Sequence, residues 1–264
     1  MTGSVRLVTL AVVAASLLAA CASTPETPQQ GRSGMDRVSP VRSAEIHTRL
    51  GVGYFERGQL QIAMENLQVA LRHDPQHTPA HVTLALIHER LGNTREAQHH
   101  YRQASRLAPN DGATQNAYGV FLCRQGQYEE AQTRFERAVA DPFYATPEVA
   151  LSNAGTCALR NDRIDEAEFF LREAIALAPE FAEALLQLAE LSLTRGDLLR
   201  ARAFLQRFES VGDDFPGSLR LGFMIERGLN NSHEAARYAS RLETTFPDSP
   251  EAREIRSLRG DDER

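Results

Sequence analysis

The sequence predicts an all-α solenoid, a right-handed superhelix of about six helix-turn-helix repeats. Three observations carry this. Set in rows starting at Ala44, Thr78, Gly112, Glu148, Ala182 and Pro216, the chain has alanine at the twentieth position of every row: Ala63, Ala97, Ala131, Ala167, Ala201 and Ala235. The fifteenth position holds Gly58, Gly92, Gly126, Asp162, Gly196 and Asn230, residue types that tolerate a left-handed turn. The eighth holds Gly51, Ala85, Gly119, Gly155, Ala189 and Phe223. All but the last are small, which lets two helix backbones approach. Between these columns apolar residues recur at spacings of three and four, the helical period.

Residues 1–20 come first in chain order. Arg6 precedes the apolar run "LVTLAVVAASLLAA", which is shorter than the roughly 20 residues a membrane span needs. The run ends at Leu18-Ala19-Ala20-Cys21. Cleavage by an ordinary secretory route requires no cysteine there, whereas a bacterial lipobox does. The pattern therefore resembles a lipoprotein signal, with Cys21 as the lipidated first residue of the mature chain; the alternative is a signal peptide with a chance cysteine. By the same resemblance Ala22, standing where an Asp would retain the protein in the inner membrane, implies the outer membrane. Residues 21–43 are rich in Pro, Gln, Ser and Gly and poor in large apolar side chains, so they read as a flexible tether. At roughly 3 Å per residue such a tether reaches about 60 Å.

The rows then run 44–77, 78–111, 112–147, 148–181, 182–215 and 216–249. The third is longer than the 34 of the others by two residues, within "DPFYATP". Period and pattern resemble the tetratricopeptide repeat, a helix-turn-helix unit. Pro75, Pro109, Pro179 and Pro247 close four rows, and Asp213 takes that place in the fifth. The last row departs most, with Phe223 in the small column and Leu242 where earlier rows have Ala70, Ala104, Ala138 and Ala174. Terminal repeats lack a neighbour on one side and are commonly atypical. Residues 250–264 are read as a polar capping helix and tail.

In such solenoids the first helix of each repeat lines a concave groove that takes extended or helical peptides. Family geometry directs to that groove Thr48, Val52, Phe55 and Glu56 of the first row, and Val82, Leu86, Glu89 and Arg90 of the second. The third row contributes Asn116, Val120, Cys123 and Arg124, and the fourth Ser152, Thr156, Leu159 and Arg160. The strip is most apolar in rows one to three, so a protein partner is expected there. The competing reading is that about half of these side chains pack against the next repeat.

Catalytic signals are poor. His73, His77, His81, His88, His99 and His100 gather loosely, but Pro79 separates His77 from His81 in helix register. There is no H-E-x-x-H, and no cysteine joins them at zinc spacing. They are expected to be surface histidines on polar faces. "GVGYFERG" follows no strand and leads into no phosphate loop. Glu129-Glu130 and Asp213-Asp214 sit at helix starts or loops, where solvation and the helix dipole account for them. No cofactor, metal or small-molecule substrate is implied, and the chain reads as a non-enzyme. The formal net charge is −6. Residues 1–20 contain one Arg and no acid, so without them it is −7. An acidic body argues against nucleic acid and against adhesion to anionic lipid.

With Cys21 assigned to lipid, Cys123 and Cys157 make an even pair in an oxidising compartment. They fall on the first helices of neighbouring rows. A disulfide needs α-carbons about 4.4–6.8 Å apart, and the insertion in "DPFYATP" lets the fourth row's first helix shift towards that distance. The alternative is two buried thiols packing as small apolar residues.

A more specific resemblance rests on Asn116 to Cys123, Asp141 to Pro147 and Asn153 to Leu159, within "NAYGVFLC", "DPFYATP" and "NAGTCAL". These are similar to motifs of the type IV pilus biogenesis lipoproteins, the secretin pilotins of the PilF/PilW family, and the likeness spans nearly the whole mature chain. It implies a factor at the periplasmic side of the outer membrane that binds the secretin subunit and promotes its localisation and ring assembly. A lipid-anchored repeat adaptor for another envelope machine, such as outer-membrane protein insertion or cell-wall synthesis, is the other reading.

Overall fold

The computed structural model describes residues 39–262, and among them every regular element is helical. In chain order the helices are α1 Pro40–Glu56, α2 Leu60–His73, α3 Thr78–Arg90, α4 Thr94–Leu107, α5 Gly112–Arg124, α6 Tyr128–Val139 and α7 Pro147–Arg160. They continue as α8 Ile164–Leu177, α9 Ala182–Thr194, α10 Leu198–Glu209, α11 Pro216–Gly228, α12 Ser232–Thr245 and α13 Pro250–Asp262. Each odd-numbered helix from α1 to α11 pairs with the helix after it, and α13 closes the stack against α11 and α12. The segment expected to be a signal peptide, Cys21 and most of the expected tether lie outside the described residues.

Local chemistry sets the helix starts. Pro40 occupies the first turn of α1, where its missing N–H costs nothing, and Ser39 Oγ accepts from Arg42 N at 3.2 Å. That cap begins the helix before Ala44, so residues 40–43, expected to belong to the tether, are helical. The Asp111 carboxylate caps α5, accepting from Thr114 N at 2.9 Å, and Asn231 caps α12. Between the two helices of each repeat the chain passes through the left-handed region, at Gly58, Gly92, Gly126, Asp162, Gly196 and Asn230, with φ of 74°, 75°, 74°, 55°, 77° and 56°. This is the fifteenth column of the sequence.

The eighth and twentieth columns are packing positions. All six alanines of the twentieth are buried. A Cβ added at Gly51 would stand 2.7 Å from Leu67, one at Gly119 2.7 Å from Phe135, and one at Gly155 2.8 Å from Leu171. In the last repeat the close approach moves one residue earlier. Gly222 lies directly against the Tyr238 ring, with no room for a Cβ, and Phe223 is buried in the core. The small column therefore slips by one position in that row.

The core divides along the stack. One cluster holds Ala44, Leu67, Leu84 and Ile87 of the first two repeats. A second, around Tyr101, Tyr118, Phe121, Phe135 and the two cysteines, joins repeats two to four. The third and largest runs from Leu151 through Leu205, Phe208, Phe223 and Ile225 to Ala252 and Ile255 of α13. Successive first helices touch along the stack (α1 with α3, α5 with α7, α9 with α11), whereas no pair of successive second helices makes contact of similar extent. The first helices therefore lie on the inside of the curve, as the solenoid reading requires.

The crossing after the third repeat explains the broken rhythm. Residues 140–146 separate α6 from α7, against the four that separate α2 from α3, α4 from α5 and α8 from α9. The longer segment folds back over the start of α5: Asp141 Oδ2 accepts from Gly112 N at 2.8 Å and Oδ1 from Phe143 N at 2.9 Å. Tyr144 lies over Gly112 so closely that a Cβ there would be 2.6 Å from its ring carbon. A carboxylate at the first amide of α5 also complements that helix's dipole. Phe143 stays 91% exposed at the tip.

Candidate partner-binding groove

The first-helix face changes character along its length. Val52 and Val82 are half-buried and belong to no core cluster. At Val82 an apolar depression opens, walled by Pro79, Ala108 and Ala113. Phe55 packs partly on the first core cluster, and Leu86 and Val120 pack partly on the second. Arg90 is exposed. Arg124 Nη1 meets Glu89 Oε1 at 2.6 Å, and Tyr101 Oη donates to Glu89 Oε2 at 3.2 Å. That pair ties repeats two and three together at the groove. Burial and the Glu89 carboxylate push the Tyr101 hydroxyl pKa up, so it stays a donor.

Three of the predicted groove residues are placed elsewhere by the structure: Thr48, Ser152 and Cys123, the last buried against Cys157 in the second core cluster. Thr48 is 5% exposed, and its hydroxyl finds no partner among the described residues. Ser152 is buried as well. Both sit at the fifth position of their rows, which the neighbouring helix covers. Asn116, at the same position in the third row, is half-buried and belongs to a polar ladder. Its Nδ2 donates to Tyr144 Oη at 3.1 Å and its Oδ1 accepts from Asn153 Nδ2 at 3.0 Å. Further along, Thr156 Oγ1 donates to Gln187 Oε1 at 2.9 Å, and Gln187 Nε2 donates to Ser152 Oγ at 3.3 Å. Tyr144, Asn153 and Gln187 were not among the residues the repeat columns select. The signal for the first two was their place in the "DPFYATP" and "NAGTCAL" segments. The groove is thus apolar and open around Val52 and Val82, crossed by the Arg124–Glu89 pair between repeats two and three, and polar and internally bonded from Asn116 onward.

His73 and His99 are exposed as expected, but His81 and His100 depart from the surface arrangement. His81 is only 8% exposed. Its Nε2 lies 3.1 Å from the Pro75 carbonyl, and its Nδ1 2.9 Å from His100 Nδ1. A carbonyl can only accept, so Nε2 carries the His81 proton and Nδ1 accepts from His100. With both nitrogens bonded, the cost of burying the ring is met. Burial lowers both pKa values, with neighbouring histidine charges adding to it, and His100 falls to about 4. Among the described residues no three ligating side chains converge as a metal site would require.

Cys123 and Cys157 face each other across α5 and α7, sulfur against sulfur, with α-carbons 5.7 Å apart. That separation lies inside the range for a bridge. Cys21 lies outside the described residues.

Tetratricopeptide-repeat family models match residues 90–143 and 158–214, and a second model of the same repeat matches 122–172. The type IV pilus assembly protein PilF of Pseudomonas aeruginosa is 26% identical over 254 residues, 96% of this chain and 99% of that one. The crystal structure of PilW, a widely conserved type IV pilus biogenesis factor, aligns at a TM-score of 0.74 with 31% identity, covering 80% of this chain and 97% of that one. The solved structure of Pseudomonas aeruginosa PilF gives the same TM-score, 0.74, at 26% identity over 83% and 99% of the two chains.

Proposed function

As the chain belongs to the PilF/PilW family of tetratricopeptide-repeat proteins of type IV pilus biogenesis, we propose that it is an outer-membrane pilotin. In this reading Cys21 carries the lipid anchor, the body faces the periplasm, and the groove of repeats one to three binds the secretin subunit. The protein acts by binding and not by catalysis. The observation that carries the proposal is the contrast within the groove. Val52, Val82 and the depression beside Val82 leave apolar surface unfilled, while the polar side chains further along satisfy one another. An amphipathic segment of a partner would bury that surface. The lipobox and Ala22 support the anchor. We infer also that Cys123 and Cys157 are bridged in the periplasm, fixing α5 against α7 behind the groove.

Deleting the gene tests the function. Secretin multimers should fall in the outer membrane and surface pili should vanish, while secretin monomer is still made. Intact rings in the deletion strain reject the pilotin and favour an adaptor for another envelope machine. Val82→Asp tests the site, because this half-buried residue lies outside the core clusters and its replacement should leave the fold intact. A carboxylate desolvated against an apolar partner costs several kcal/mol, enough to abolish micromolar binding. Cys21→Ser should release a folded body from the membrane fraction.

A further inference from the structure

A second surface lies on the opposite side of the stack. The second helices α4 and α6 flank a crevice into which Arg95, Arg102 and Arg106 reach from one wall and Arg134 and Arg137 from the other. Together with His99, the α4 residues form one stripe at successive offsets of four, three and four. Over that spacing a helix rises about 16 Å. Glu130 is the sole carboxylate among the described lining residues, and Arg134 already engages it at 3.0 Å.

The other arginines are not neutralised. Arg95, Arg102, Arg106 and Arg137 make no hydrogen bond or ion pair with any described residue. Arg134 forms the floor. Its Nη1 donates to Ser105 Oγ at 2.7 Å, and its guanidinium lies 4.8 Å from the Tyr118 ring centre. Its Nε–H is buried without an acceptor. This positive field occurs in a chain of net charge −6. Repeat two has four Arg against three carboxylates, whereas repeat four has three Arg against seven.

We propose that this crevice is a docking site for an acidic peptide segment of a protein partner, independent of the first-helix groove. Arginines line both walls of the crevice, as in the recognition of acidic motifs by arginine clusters. About five residues of extended chain span the stripe. A bilayer fits less well, because the α4 stripe carries no large apolar side chain to enter it.

The test uses the full chain in nonionic detergent micelles, with fluorescein-labelled deca-glutamate followed by anisotropy. Binding is expected at about 0.05 M salt and should weaken at least tenfold near 0.3 M, as screening shortens the reach of the charges. The double variant Arg102→Glu/Arg106→Glu should lose about tenfold or more in affinity, with helical content unchanged. Arg253→Glu/Arg256→Glu on α13 should bind like the parent. So should Val82→Asp, which separates this site from the groove. Absence of peptide binding at low salt overturns the proposal, as does equal loss in the α13 variant. Binding to mixed micelles containing phosphatidylglycerol, lost in Arg102→Glu/Arg106→Glu, with no binding of the peptide, would assign the crevice to membrane and overturn it too.

Discussion

Repeats one to three and repeats four to six use the same scaffold and spend their side chains differently. In the later repeats most arginines pair with carboxylates, largely at the surface. Arg195 meets Asp165 and Glu168, Arg220 meets Glu254 through two hydrogen bonds, Arg241 meets Asp214 and Glu209, and Arg202 grips the buried Glu226. Their polar groove side chains are bonded to one another, and their core is the largest of the three clusters. In the early repeats Arg124 and Arg134 are the arginines that pair with carboxylates among the described residues, and the groove keeps apolar surface open beside Val82. The later half keeps most of its charges paired, and the earlier half leaves apolar and cationic surface without partners among the described residues. Tetratricopeptide repeats mediate protein–protein interaction, and here the surface available for it is concentrated at one end.

The strongest way to break this division is to cut the link between its halves. The bridge proposed between Cys123 and Cys157 would close a sequence separation of 34 between repeats three and four, for which chain entropy gives roughly 3–4 kcal/mol. Cys123→Ser, or reduction, should lower the melting temperature and leave helical content intact below it. Mass spectrometry of unreduced peptides checks the bridge itself, and two free thiols in protein from the periplasm would refute it. The next effect compares two arginines. Glu226 is 4% exposed and receives Arg202 Nε at 2.7 Å and Nη2 at 2.5 Å. Arg202→Ala leaves that carboxylate buried with Asn231 alone as donor, and should cost about 2 kcal/mol in urea denaturation. Arg106→Ala, with no partner to lose, should stay within about 0.5 kcal/mol of the parent. Equal costs would erase the distinction.

Most of the fold was legible because a repeat states each structural need several times over. The left-handed turn asks for Gly, Asn or Asp, and six rows answered in one column. What the columns could not tell is whether a neighbouring helix covers a given side chain. Thr48 and Asn116 share a position, yet one is buried and the other is half-buried and bonded to Tyr144 of the inserted crossing, a residue no column selects. His81 looked like a surface histidine because its second partner, His100, lies on another helix. Gly222 was hidden by a one-residue slip against Tyr238. The arginine crevice was invisible for the same reason: its two walls are far apart in sequence, and net charge alone pointed the other way.

The histidine pair offers a milder way to sharpen the comparison. Seven of the eight histidines precede Gly112, and His81 and His100 are held below the ordinary imidazole pKa chiefly by burial. Depressed folded values mean the neutral rings stabilise the fold above the unfolded pKa near 6.5. That contribution is lost as pH falls from about 6.5 towards the value of about 4 at His100. Protonation sets N–H against N–H between the two Nδ1 atoms, with His77, His88 and His99 adding like charge nearby. Hydrogen exchange at pH 5 should show α3 and α4 losing protection before α9 to α12. Uniform loss along the stack would show that the pair plays no special part.

The smallest effect is also the cleanest, because it isolates backbone conformation. All three early turns use glycine, whereas two of the three later ones hold Asp162 and Asn230 at φ of 55° and 56°. A Cβ added at Gly126 would meet nothing within 4 Å, so Gly126→Ala introduces no clash and tests only the left-handed geometry. For an L-residue with a Cβ that geometry costs about 1 kcal/mol. Asp and Asn reduce the penalty by local hydrogen bonding without removing it. Gly126→Ala should therefore lose about 1 kcal/mol. Asp162→Gly should gain no more than about 0.5 kcal/mol, since glycine also raises the entropy of the unfolded chain. Chemical denaturation of both variants measures the difference. If Asp162→Gly instead destabilises by as much as Gly126→Ala, the carboxylate at that turn makes an interaction beyond its own backbone. The later repeats would then have recruited even their turns into the ion-pair network that separates them from the early ones.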